Sequence, residues 1–241
     1  MHLFPLLVST LLILRGLILC LAFDLPFVSM HRYAENGSLG QTLKEFGKLE
    51  EKLVASYVTK ILSGLDYIHR NGVVHCDIRA DNILTTGDGR VKLSEFGTSF
   101  RLREVDQTSP VVGGSPNWMA PEVIELKGIS TKSDIWSLGC TVSELLTGRP
   151  PYADIQNIMA GMGPFYIQST KFNPYLVLSV MFRIVEDDPP IPGSFGDPLV
   201  AFLKECFHKD PAQRPSAENL LRHEWFKQHL SLDKVRRNEA T

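Results

Sequence analysis

The sequence predicts an α+β fold that is mostly helical and carries one small β hairpin. Three observations lead there: a long run with helical spacing at Leu49–Asn71, two short β segments joined by Thr86-Gly87-Asp88-Gly89, and further helical segments separated by proline-rich breaks. The chain has 241 residues, with 25 Lys+Arg against 27 Asp+Glu and a net charge of −2. That balance excludes a nucleic-acid binder working through a broad basic surface. With 44% hydrophobic and 22% charged residues, a mainly disordered or fibrous chain is also excluded. The length suffices for one large domain or two small ones with a buried core. Cys20, Cys76, Cys140 and Cys206 are scattered, without C-x-x-C pairs, which suits free thiols in a reducing compartment.

The first thirty residues differ from the rest. Leu3–Phe23 is apolar except at Pro5, Ser9, Thr10, Arg15 and Gly16. Three readings compete. A membrane-spanning helix has the required length of about 20 residues, but Arg15 near its centre costs roughly 2.5–3.5 kcal/mol. A signal peptide has Leu3–Leu14 as its apolar core and Cys20-Leu21-Ala22 as a cleavage site, but lacks a charged leader. The third reading is a stretch that is not an evolved element of the fold.

From Met30 the texture is that of an ordinary folded domain. His31–Leu39 reads as an extended segment, a turn at Asn36-Gly37 and a helix capped by Ser38. In Leu49–Asn71, Leu53, Val54, Tyr57, Val58, Ile61, Leu62, Leu65 and Ile68 form one apolar face, and Gly72 stops the helix. The hairpin strands are Asn82–Thr85 and Arg90–Ser94, followed by a polar loop to about Trp118. Helices then alternate with breaks at Pro150-Pro151, Pro189-Pro190 and Pro211–Pro215. Trp118, Trp136 and Trp225 read as core aromatics, Asp187-Asp188 as a solvated turn, and His69, His208 and His223 lack metal spacing.

The segment Val74-His75-Cys76-Asp77-Ile78-Arg79-Ala80-Asp81-Asn82-Ile83-Leu84 resembles the catalytic loop of eukaryotic protein kinases, H-R-D-x-K-x-x-N. Glu95-Phe96-Gly97 stands in the place of the Asp-Phe-Gly triplet, and Ala120-Pro121-Glu122 matches Ala-Pro-Glu. Gly114–Met119 resembles the end of a Ser/Thr kinase activation segment, and Ser133–Gly139 and Arg214 match later kinase landmarks. Five motifs in the right order between Tyr33 and Phe226 identify the chain as similar to this family. The flavour is that of the STE-type, MAP-kinase-kinase-kinase-like group and its fungal cytokinesis branch. The resemblance covers the large lobe and the hinge before it; no G-x-G-x-x-G and no strand lysine of V-A-I-K type precede it. It implies a kinase-like large lobe with the small lobe largely absent. The domain division that follows is residues 1–30, a kinase large lobe over 31–229, and a polar tail at 230–241.

The resemblance implies ATP and Mg²⁺ as cofactors, protein substrates or partner kinases as partners, and a cytoplasmic location unless the apolar stretch directs the chain to a membrane or the secretory route. Asp77 would accept or orient the substrate hydroxyl proton, and Asn82 would offer its amide oxygen to the metal. The hinge near Met30, Tyr33 and Glu35 would hold nucleotide. Glu122 and Arg214 would form a buried ion pair anchoring the activation segment, and Asp134 would accept catalytic-loop N–H groups. Ser115, in the activation segment, and Thr108 are phosphosite candidates. Three departures weaken the site. Glu95 replaces the metal-binding Asp, adding a methylene where Mg²⁺ tolerates little deviation from distances of about 2.0–2.1 Å. Arg79 replaces a Lys that would meet the transferring phosphate, exchanging a compact ammonium for a planar fork. Cys76 replaces an Arg, so control by docking of a phosphorylated segment is expected to be absent.

Gly161–Val180 is unlike the family. A helix starting at Asp154 with Ile155, Ile158 and Met159 on one face meets Gly161-Met162-Gly163-Pro164. Joining Ala160 to Met181 would place Phe182 at i+7 from Ile155. The segment reads as translation of an unspliced intron, or as a genuine loop packing through Phe165, Tyr166, Phe172 and Tyr175. Three functional classes remain at this point: an ATP-dependent Ser/Thr kinase, a pseudokinase acting as a binding module, and a defective gene product.

Overall fold

A computed structural model describes residues 12–14, 17–19, 36–102, 114–155, 174–189, 191, 193 and 195–229. Strands β1 (Leu12–Leu14) and β2 (Leu17–Leu19) pair antiparallel, Leu12 opposite Leu19. Residues 12–14 and 17–19 are therefore not part of one continuous helix. Among the described residues, no helix is long and apolar enough to cross a membrane.

Helix α1 (Leu39–Phe46) begins where the sequence places its cap. Ser38 Oγ accepts the Gln41 N–H at 3.1 Å and Gln41 Oε1 accepts the Ser38 N–H at 2.9 Å, so two orphan donors of the first turn are satisfied. Helix α2 (Glu51–Arg70) runs about 30 Å at 1.5 Å per residue. It buries Val54, Val58, Ile61, Leu62, Leu65 and Ile68. Leu53, expected on that face, is 42% exposed, because consecutive residues lie about 100° apart and Leu53 falls off the stripe centred near Val54 and Ile61.

The expected hairpin forms from β4 (Ile83–Thr85) and β5 (Val91–Leu93), with Ile83 opposite Leu93 and Thr85 opposite Val91. A further antiparallel pair joins β3 (Val73–Val74) to β6 (Phe100–Arg101). Sequence periodicity does not reveal two-residue strands so far apart in the chain.

Helix α3 (Pro121–Ile124) leads to α4 (Thr131–Thr147), capped by Ser130 and buried almost all round from Ser133 to Leu146. A helix buried on every side is the centre of its domain; α2 and α6 (Asp197–Cys206) pack against it, and α7 (Ala217–Leu220) packs on α2. Trp136 and Trp225 are fully buried, and Phe202 meets Trp225 and Phe226 at ring distances of 4.8 and 5.5 Å. No small-lobe sheet occurs among the described residues, so the fold is a helix-dominated α+β large lobe.

Helix α5 (Pro174–Glu186) continues through the Val180–Met181 junction. Its inner face holds Val180 and Ile184, whereas Tyr175, Leu178 and Phe182 are 66%, 62% and 67% exposed. Phe182 and Tyr175 are thus turned to solvent, whereas Ile155, the other end of the expected i, i+7 face, is buried. Phe165, Tyr166 and Phe172 lie outside the described residues, as does the tail from residue 230. Asp187 is exposed but engaged, accepting from Arg183 Nε at 2.6 Å.

Candidate active site

The loop between β3 and β4 is built around Asp134, in the first turn of α4 and wholly buried. Its carboxylate accepts the backbone N–H groups of His75 and Cys76, each at 2.9 Å, and meets His69 Nε2 at 2.8 Å. These bonds hold Cys76 at φ +68°, a left-handed conformation that side chains other than glycine reach only at a cost. Gly114 of the activation segment comes so close that an added Cβ would lie 2.5 Å from Cys76 O. Burial pushes the Cys76 thiol up, so it stays a neutral thiol 3.7 Å from Val74 O.

His75 is buried and its basicity is lowered by desolvation. The neutral ring fits its surroundings: Nε2–H donates to Ser94 O at 2.9 Å and Nδ1 accepts the Asp77 N–H at 3.3 Å. The ring also packs edge-on against Phe96 at 4.8 Å.

Asp77 is held from two sides. Asn82 Nδ2 donates to its Oδ2 at 2.6 Å and to its backbone O at 2.8 Å, and the Ser115 N–H donates to Oδ1 at 3.0 Å. Both amide hydrogens of Asn82 are used on Asp77, which leaves Oδ1 of Asn82 as the atom available to a cation. Ser94 ties its N–H (3.0 Å) and Oγ (2.9 Å) to Asn82 O, so Glu95, the next residue, is delivered beside Asn82. Glu95 is exposed and sits at φ 63°, ψ 52°, a left-handed backbone position better suited to Asp or Asn than to Glu.

Arg79 is directed toward the activation segment. Nη1 donates to Ser115 Oγ at 2.7 Å, Nη2 pairs with Asp81, and the guanidinium lies over the Trp118 ring at 4.7 Å. Beneath, Glu144 Oε2 accepts Trp118 Nε1–H at 3.1 Å and the Ala80 N–H at 3.2 Å. Burial pushes the Glu144 carboxyl up to about 7, against the opposing pull of those two donors. Glu122 and Arg214 meet in a bidentate pair, 2.7 Å on each arm, with the Arg214 side chain fully buried.

The structure therefore brings Asp77, Arg79, Asn82 and Ser115 into one hydrogen-bonded group with Glu95 at its edge, and sets Glu122, Asp134 and Arg214 beneath as supports. Met30, Tyr33, Glu35 and Thr108 lie outside the described residues. Sequence reading missed Glu144, which looks like a solvated charge near a helix end, and Asp81, which occupies a variable position of the motif. It also treated Trp118 as core only, although its ring carries Arg79.

Comparison with known proteins identifies the family. The family model for the protein kinase domain matches residues 26–226. MAP3K epsilon protein kinase 1 of Arabidopsis thaliana is 48% identical over 198 residues, covering 81% of this chain and 13% of that protein. Cytokinesis protein sepH of Emericella nidulans is 45% identical over 210 residues, covering 87% of this chain and 14% of its own length. Cell division control protein 7 of Schizosaccharomyces pombe is 46% identical over 194 residues, covering 80% and 16% respectively. The chain thus spans between 13% and 16% of these relatives. It belongs to the protein kinase domain family, within its STE-type, MAP-kinase-kinase-kinase-like group.

Proposed function

We propose that the site is that of a Ser/Thr protein kinase which keeps the substrate side of its machinery and has lost effectiveness on the metal side. The chemistry is transfer of the γ-phosphoryl group of ATP to a protein hydroxyl. The observation that carries the reading is the Asp77–Asn82–Ser115 group, which aims a carboxylate at the place where a hydroxyl proton would be taken up.

The donors on the other side suit Mg²⁺ in kind, since Asn82 Oδ1 and the Glu95 carboxylate are hard oxygens. When bound, Mg²⁺ and ATP supply the transferable phosphoryl group and neutralise its charge. Glu95, exposed and longer by one methylene, holds that carboxylate less firmly than a shorter side chain would. A displacement of about 1 Å lowers a rate on the order of a hundredfold. That loss, added to the lack of a small-lobe sheet among the described residues, leaves the chain on its own without measurable turnover; its working location is the cytoplasm, where ATP, partner kinases and reduced thiols occur together. Cys76, Cys140 and Cys206 are free thiols in keeping with that location.

A second reading, an interaction module, is favoured by one observation. The segment Ser115–Trp118 is tied to Asp77, Arg79 and Glu144, which gives a protein partner a formed face. Radiolabelled phosphate transfer to a mixture of generic protein substrates, with Asp77→Asn as the reference, tests the kinase reading. Equal background incorporation by both is expected for the chain alone. Incorporation lost in Asp77→Asn would show an effective metal side and overturn the impairment.

A further inference from the structure

Asp81 belongs to none of the roles above, yet it touches the one cation of the catalytic loop. Its carboxylate pairs with Arg79 Nη2 through Oδ2, while Oδ1 faces Lys44 of α1 at 3.6 Å. The fit against α1 is close: a Cβ on Gly40 would lie 2.1 Å from Asp81 Oδ1 and 3.0 Å from its Cα. Asp81 therefore fills the space that a side chain at position 40 would take. Lys44 is 76% exposed, and its contribution to holding Asp81 is small.

Both ends of the Arg79 fork are engaged in this arrangement. Nη1 is on Ser115, Nη2 on Asp81, the plane stacks on Trp118, and Nε is buried with no hydrogen-bond partner. An arginine bound on both ends and stacked on an aromatic face cannot swing out as a lysine ammonium would. One end of the fork is on Ser115 of the activation segment and the other on Asp81, so neither end is open to a further anion.

We propose that Asp81 is a positioning residue that clamps Arg79 against the activation segment and withholds its charge from a transferring phosphate, with Gly40 providing the room. This rests on the kinase reading of the site, and it adds a second cause of impairment that is independent of the metal side. Lys44 and Glu144 complete the charged surroundings, one on each side of the Arg79–Asp81 pair.

Inorganic phosphate serves as the probe, with the Arg79 Nε–H resonance followed by nuclear magnetic resonance and assigned by its loss in Arg79→Lys. Asp81→Asn removes the clamp directly. Gly40→Ala displaces Asp81 from the outside, and circular dichroism against the unaltered chain checks that the fold is kept. In the unaltered chain, the resonance is expected to be insensitive to phosphate. In both variants, phosphate is expected to bind Arg79 on the order of tenfold tighter, as a freed charge-assisted donor would. Equal responses in all three proteins overturn the proposal, as does an unresponsive Arg79 in both variants. A purely structural Asp81 would lower the melting temperature without changing the phosphate response. Because this readout needs no nucleotide and no turnover, it stands or falls separately from the transfer assay.

Discussion

Replacing Arg214 by Met is expected to be among the most damaging single changes to this lobe. The side chain is fully buried and makes five hydrogen bonds. Two go to Glu122 at 2.7 Å, and the others to the carbonyls of His208 (2.7 Å), Lys132 (3.0 Å) and Lys209 (3.3 Å). Met fills much of the volume but leaves Glu122 buried, with Ser133 Oγ at 2.9 Å as its remaining donor. A buried ion pair broken on one side costs about 3–5 kcal/mol, because the abandoned charge stays desolvated. At about 2–4 °C per kcal/mol for a domain of this size, the melting temperature should fall by roughly 6–20 °C. Urea denaturation followed by tryptophan fluorescence would measure the loss. The double variant Glu122→Gln, Arg214→Met should lose less than the sum of the two single changes, since no charge is then left unpaired. A single-variant loss below about 1 kcal/mol would refute the claim that this pair anchors α3 and the activation segment to the stretch between α6 and α7.

Other consequences follow from particular residues. Glu144 has a folded value above its unfolded one, so between pH 4.5 and about 7 the folded state holds the extra proton and stability declines as pH rises through that window. Glu144→Gln should therefore match the unaltered chain at pH 4.5 and exceed it above pH 7 by up to about 3 kcal/mol; a constant difference across the range would contradict burial as the cause. Deleting Gly161–Val180 puts Ala160 in the position of Val180 and removes the exposed Tyr175 and Leu178. If the segment is foreign, soluble yield or melting temperature should rise, and a clear drop in stability would instead make it a genuine part of the fold. Reverting Cys76→Arg, Arg79→Lys and Glu95→Asp together should not restore phosphate transfer, because these changes touch only the catalytic loop and the residue after Ser94; measured recovery in that triple variant would locate the whole defect in those three residues.

The helices and the hairpin were legible in the sequence because each has a local cause. Ser38 with Gln41 makes a capping box, Leu49–Asn71 has helical spacing, and Thr86–Gly89 makes a turn. The catalytic-loop residues were legible only through their motif, since an isolated Asp or Asn would read as a turn former. The clamp around Arg79 was not legible. It depends on α1 bringing Gly40 to Asp81 and on α4 bringing Glu144 under Trp118, contacts between residues 41 and 26 positions apart. The outward face of α5 escaped for a related reason. Helical periodicity identifies an apolar stripe but not which side of the helix its neighbours cover, and here they cover Val180 and Ile184.

The central claim is that this chain has a formed substrate side and an ineffective nucleotide side. Calorimetric titration of the purified 241-residue chain with Mg·ATP tests it most directly. The account predicts no binding heat at nucleotide concentrations up to about a millimolar, the upper range of ordinary substrate affinities, in the unaltered chain and in Asp77→Asn alike. Saturable binding in that range that weakens in Asn82→Ala would contradict it, and would mean that Asn82 and Glu95 already make a working metal site.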